Sequence, residues 1–135
     1  MQILKFSAGT VERIGSVMKV TYLKDTTVNV DDMKEITLVR EKLFGEEKYC
    51  TLIDLTKDFL SLSPEAKEYA ANNETIKRLR IAEVLLVKNF AQKLGVHTYV
   101  KIFRSNDNVK VMVNELDAIT WLNEQYQNYS KRAAV

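Results

Sequence analysis

The side chains best able to do chemistry crowd into one short run. Asp54, Thr56, Asp58, Ser61 and Ser63 follow an apolar stretch and lead into Pro64-Glu65. Carboxylates and hydroxyls beside a helix start suit two kinds of chemistry. One is covalent modification of a hydroxyl, with Ser63 the candidate and Ser61 and Thr56 behind it. A phosphate at Ser63 would meet free backbone amides and the positive end of a helix dipole. The other is reversible binding of an anion, or of a partner's polar groups, at the carboxyl end of the strand that Asp54 closes, where open α/β sheets place their ligands. Both sites also have a purely structural reading. Ser63-Pro64-Glu65 has the form of a plain helix start, with an acceptor at the cap, proline at the first helical position and an acid in the first turn. Asp54 is equally suited to accept hydrogen bonds from turn amides.

Outside this run the chemistry thins out. No second carboxylate or histidine has the spacing of a general acid or base partner, and no nucleophile is set beside a base, so a non-enzymatic protein is expected. His97, the one histidine, sits beside Tyr99 and reads as a surface residue. Cys50 lies among apolar residues, the setting of a small buried hydrophobe rather than a reactive thiol, and fits a reducing compartment. Lys77, Arg78, Arg80, Lys88 and Lys93 form the densest basic stretch, but Glu74 and Glu83 interleave with it. With 20 Lys and Arg against 18 Asp and Glu the formal charge is only +2. A solvated face is therefore expected, and nucleic acid is not. Gly9, Gly15, Gly45 and Gly95 open no phosphate-binding loop, and one Cys with one His cannot supply a zinc set. No metal or cofactor is expected.

The elements around the run read as one domain over residues 1–135, with 46% apolar residues to build its core. Ile3, Leu4 and Phe6 open a strand. Residues 10–14 and 17–23 flank Gly15-Ser16 as a hairpin. Met33, Ile36, Val39 and Leu43 recur at three and four residues on one helical face, with Asn29 as cap, Asp31 and Asp32 in the first turn and Gly45 as stop. Residues 50–55 and 81–87 are nearly continuous apolar runs, as in strands covered on both faces. Helices at 63–71 and 74–80 lie between them and imply a right-handed crossover to a parallel neighbour. Residues 89–104 carry both periods: Phe90, Leu94, Thr98 and Ile102 have helical spacing, while Val96, Thr98, Val100 and Ile102 alternate. The helix is favoured, because a strand here would crowd the next one at 109–113. Asn114 caps a last helix with Ile119, Leu122, Tyr126 and Tyr129 on one face and Trp121 beside it, and the tail from about 130 to 135 is expected to fray. No window reaches the roughly 18 apolar residues of a membrane span and the start lacks a leader pattern, which places the protein in the cytoplasm.

In this order the elements resemble the STAS-like fold of the sporulation anti-sigma-factor antagonists. GSVMKVTYLKD with the helix that follows is similar to the entry of small SpoIIAA-like proteins, YCTLIDL to their central strand, IAEVLLVKN to the next strand, and VKVMVNELDAITWL to the closing strand and helix. The resemblance implies an α/β fold: a mixed sheet with an N-terminal hairpin, a parallel crossover and four to five packing helices. It also implies a regulatory or protein-interaction domain that meets another protein through the turn after the central strand, at residues 56–64, with a homodimer as a further option. The family's antagonists carry a phosphorylated serine there, usually within Asp-Ser-Ser-Gly. In this chain Leu62 or Ser63 stands at that place and Pro64 replaces the glycine, so the likeness is to SpoIIAA-like proteins without the motif. The alternative function is a small-molecule or anion binder at the strands' carboxyl ends, using Asp54, Ser63 and Arg78 or Arg80.

Overall fold

The computed structural model describes residues 3–57 and 61–133. In chain order the elements are β1 (Ile3–Phe6), β2 (Gly9–Ile14), β3 (Val17–Tyr22), β4 (Thr27–Val28), α1 (Val30–Phe44), β5 (Tyr49–Asp54), β6 (Ser61–Leu62), α2 (Pro64–Asn72), α3 (Glu74–Leu79), β7 (Arg80–Leu86), α4 (Phe90–Phe103), β8 (Val109–Met112) and α5 (Glu115–Ala133). Six strands form a mixed sheet in the order β1-β2-β3-β5-β7-β8. The first three are antiparallel because short turns join them; Gly15, at φ +60°, supplies the reversal between β2 and β3. From β3 onward each neighbour is parallel, since each return passes through at least one helix.

The capping signals act as their residue types require. Asn29 accepts from the Asp32 amide at 3.0 Å while the Asp32 carboxylate accepts from the Asn29 amide at 2.9 Å, a reciprocal box that starts α1. Gly45 ends that helix at φ +58°. Asn89 caps α4 through the Gln92 amide, and Asn114 caps α5 through the Asp117 amide.

Alternation along the central strands divides the core in two. Tyr49 and Ile53 of β5, with Leu85 of β7, face the side where α1, α2, α3 and α4 pack. Cys50 and Leu52 of β5, with Ala82, Val84 and Leu86 of β7, face α5, which seals them with Ala118 and Leu122. Both strands are buried almost throughout, the reason they read as unbroken apolar runs. Fully burying a residue such as Leu122 contributes about 1.5–3 kcal/mol.

Four features depart from the sequence reading. Ser61-Leu62 does not belong to a simple turn; it pairs in parallel with Thr27-Val28 as a separate two-stranded sheet, which short polar segments do not announce. Residues 89–104 do form a helix, but Phe90, Leu94 and Ile102 lie on its outer side at 70%, 55% and 68% exposure, and Val96, Tyr99 and Val100 are the residues that meet the core. Helical spacing finds a stripe without saying which way it faces. Arg40 of α1 is fully buried, donating from Nη1 to the Gly45 carbonyl at 2.9 Å and lying over the Tyr49 ring. Finally, α5 stays helical through Ala133, past the point where fraying was expected. Among the described residues no helix is long and apolar enough to cross a membrane.

Candidate functional site

The residues singled out in the sequence have definite local duties. Asp54 is buried at the end of β5, and its Oδ1 accepts from both the amide (2.9 Å) and the hydroxyl of Thr56, closing the turn after the strand. Ser63 caps α2: its hydroxyl oxygen accepts from the Ala66 amide at 3.1 Å, with Pro64 in the first turn. Ser61 is exposed on β6, and Asp58 lies outside the described residues. Asp54 and Thr56 therefore engage each other, Ser63 engages its own helix, and Ser61 stands apart from all three. Arg78, a candidate of the anion-binding alternative, is exposed and pairs with Glu46 at 3.1 Å.

A concave, mainly apolar feature of the fold lies beside this run. Between the sheet and the α2–α3–α4 side is a cavity of about 230 Å³. Tyr22, Ile53 and Leu85 form its sheet wall; Ala70, Ile76 and Val96 face them from the three helices. Ser61 and Leu62 bring β6 to its border, so the run meets the cavity at Ser61 and not at Asp54, which alternation sets on the opposite face from Ile53. Gly95 of α4 also lines it, and a Cβ built there meets nothing within 4 Å.

A charged cluster occupies the cavity wall. Glu83 of β7 accepts from the Thr51 hydroxyl at 2.7 Å and from Arg80 Nη1 at 3.4 Å, and its other oxygen is 2.9 Å from Arg104 Nη2. Arg104, at the C-cap of α4, also binds Asp107 through Nε, and Arg80 Nη2 lies 3.8 Å from the same carboxylate. The Arg104–Glu83 contact is close but misaligned: Nη2 is at ion-pair distance, yet among the described residues it has no hydrogen-bond partner. Arg104 thus holds Asp107 closely through Nε but engages Glu83 less well, and Arg80 meets both carboxylates at the longer distances.

Arg80 and Glu83 are three residues apart in one strand, and strict alternation would send them to opposite faces. The register of β7 against β5 slips between Tyr49 and Cys50, so that Tyr49 pairs with Arg80 and Cys50 with Ala82. The extra residue, Ile81, turns Arg80 onto the side of Glu83. This irregularity assembles the cluster.

The electrostatics follow from burial and pairing. Burial alone pushes the Glu83 carboxyl upward, but Arg80 and Arg104, with the Thr51 hydroxyl, overcome it and hold the group below the usual carboxylate range. Burial works against the charge of Arg104 and is outweighed by Glu83 and Asp107, which raise it above the ordinary arginine value. Tyr22 is pushed up by burial, with the negative charge of Glu83 adding to it; Tyr99 is pushed up by burial against the opposing pull of Arg104. At neutral pH the wall therefore offers a fixed carboxylate, fixed cations and neutral phenols. Such a set is suited to holding a ligand, and none of its members is poised to exchange a proton near pH 7.

Two other reactive side chains lie elsewhere. Cys50 is on the α5 face of the sheet, with burial pushing its thiol up to about 11. His97 is exposed on α4. Among the described residues no three His, Cys, Asp or Glu side chains converge as a metal site would need.

Sequence reasoning placed Arg80 and Glu83 on a solvated face, naming Arg80 otherwise only within the anion-binding alternative, and passed over Arg104 and Tyr99. For Glu83 a signal was available: a single acid inside IAEVLLV, a run that only a strand covered on both faces explains, must be paired inside the protein. Arg104 carried no comparable signal, because its burial depends on how α4 packs.

The profile of a domain of unknown function, DUF7793, matches residues 12–126. Among solved structures, a crystal structure of an uncharacterised protein of the DUF3478 family with a SpoIIAA-like fold, from Shewanella loihica PV-4, is similar to this chain. It aligns over 83% of this chain and 90% of its own at 17% identity, with a TM-score of 0.59. At that identity the likeness establishes the fold, which is SpoIIAA-like, and nothing about activity. No curated protein matches the chain.

Proposed function

We propose that this protein, which belongs to the DUF7793 family, is a non-enzymatic regulatory domain that binds a small, largely apolar molecule in the cavity between its sheet and the α2–α3–α4 side. The observation that carries this reading is the cavity itself: about 230 Å³ of space with mainly apolar walls and a few convergent polar groups. The cavity is partly open to solvent rather than sealed in the core, which leaves a ligand a way in. The absence of catalysis rests on the state of the lining groups, a carboxylate locked in ion pairs and phenols pushed upward.

The protein-interaction role expected of residues 56–64 belongs to the same proposal. Ser61 is exposed on one side and borders the cavity on the other, so occupancy reaches the segment that would meet a partner. The apolar outer side of α4 supports a macromolecular contact as well, since that helix also walls the cavity through Gly95, Val96 and Tyr99.

Indole, a neutral probe of suitable size, tests the cavity. At a hundred times its dissociation constant it is expected to add about 2.7 kcal/mol of stability, read as a rise in Tm. Gly95→Leu, which fills open space on a helix and removes a glycine, should leave the apo fold at least as stable and abolish the response. Leu94→Ser combined with Ile102→Ser, on the outer side of α4, should leave the response intact. An equal response from wild type and Gly95→Leu, or none from either, would sink the reading.

A further inference from the structure

The charges around the cavity specify its ligand further, on the premise that the cavity binds one. Lys67, Arg80 and Arg104 bring three positive charges, and Glu83 and Asp107 bring two negative ones. The two arginines and the two carboxylates balance within their own cluster. The surplus is Lys67, on α2, for which no carboxylate among the described residues lies within ion-pair distance. Its ammonium stands 5.9 Å from the centre of the Phe103 ring, which keeps it beside α4. Ser61, on the border, supplies a hydroxyl donor.

Size narrows the rest. An apolar cavity of about 150 Å³ accommodates benzene. A space of about 230 Å³ therefore takes a ring with a short extension, or an alkyl chain of similar bulk. We infer that the ligand is a monocarboxylate with a compact apolar body, its body against Ile53, Leu85 and Val96 and its carboxylate on Lys67 and Ser61. A dianion would overshoot the single surplus charge. Among the described residues an amine would meet Lys67 and two arginines with no unpaired carboxylate to receive it, since Glu83 and Asp107 are already paired.

Three isosteric probes test this by calorimetric titration: 3-phenylpropanoate, 3-phenylpropanamide and 3-phenylpropan-1-amine. Wild type is expected to bind the acid at least about tenfold more tightly than the amide, or about 1.4 kcal/mol, and the amine most weakly. Lys67→Met keeps the apolar stem and removes the charge; it should bind acid and amide alike. Because Lys67 is half-exposed, the acid's advantage should also shrink as salt rises. If the amide matches the acid on wild type, or the preference survives in Lys67→Met, the carboxylate assignment is wrong while the cavity reading stands. If wild type binds neither acid nor amide, both fall together.

Discussion

Glu83→Gln is expected to cost the fold about 3–5 kcal/mol, the usual penalty for removing one partner from a buried ion pair. The side chain is nearly inaccessible at 5% exposure, and losing its charge leaves Arg104, at 2%, with Asp107 as its one remaining acid partner among the described residues. Glutamine keeps the shape and the Thr51 hydrogen bond, so the penalty isolates the charge. Replacing Glu83 and Arg104 together by Leu should cost less than either single change, because no charge is then left unmatched. Urea unfolding of Glu83→Gln, Glu83→Leu, Arg104→Leu and the double variant decides the matter, and a double variant worse than both Leu singles would mean that the cluster adds net stability. The acid limb follows from the same pairing. The folded Glu83 carboxyl sits below its ordinary 4.5, so its contribution is fully present above that pH and is lost as pH falls further.

Raising the pH should unfold the protein more sharply than ordinary tyrosine and cysteine titration implies. Burial lifts Cys50 from 9.0 to about 11 and, against the pull of Arg80 and Arg40, lifts Tyr49 from 10.0 to about 12. Both groups lose their protons earlier in the unfolded chain. The native state therefore holds more protons across that window, and stability declines as pH climbs. The decline starts near pH 9 with Cys50 and runs to about pH 12 with Tyr49. At about 1.4 kcal/mol per pH unit for each group, the combined loss is on the order of 5 kcal/mol. Tyr22, also pushed up by burial, adds to it. Denaturation midpoints measured from pH 7 to 11.5 check this, and Cys50→Ala should delay the onset to near pH 10. A flat profile through pH 11 would show these side chains to be more hydrated than their burial implies.

What the sequence made legible was local. The apolar runs at β5 and β7, the cap at Asn29, the positive-φ glycines and the Ser63-Pro64 helix start depend on neighbours a few residues away, and each stands where its residue types place it. The family resemblance added the mixed sheet with four to five packing helices, while the order of its strands came only with the structure. The cavity depended on relations between distant segments. Glu83 meets Arg104 only because α4 ends beside β7, and Arg80 joins them only because of the slip at Ile81. Phe90, Leu94 and Ile102 show the same limit from the other side: a regular stripe turned outward because Val96, Tyr99 and Val100 fit the core. The chemically suggestive run also has a structural use. Its polar groups exist in part to satisfy their own backbone, Asp54 at the turn and Ser63 at the helix cap, and short hydroxyl and carboxylate side chains do both jobs equally well.

The central claim is that the cavity is a binding site, and the most direct test is to map amide shifts of the labelled protein titrated with 3-phenylpropanoate. The expected result is a saturable change centred on Leu62, Ile76, Leu85, Gly95 and Val96, with Ala118 and Leu122 on the α5 face unmoved. Shifts confined to the α5 face or scattered without saturation, or no shift at millimolar ligand, would contradict it.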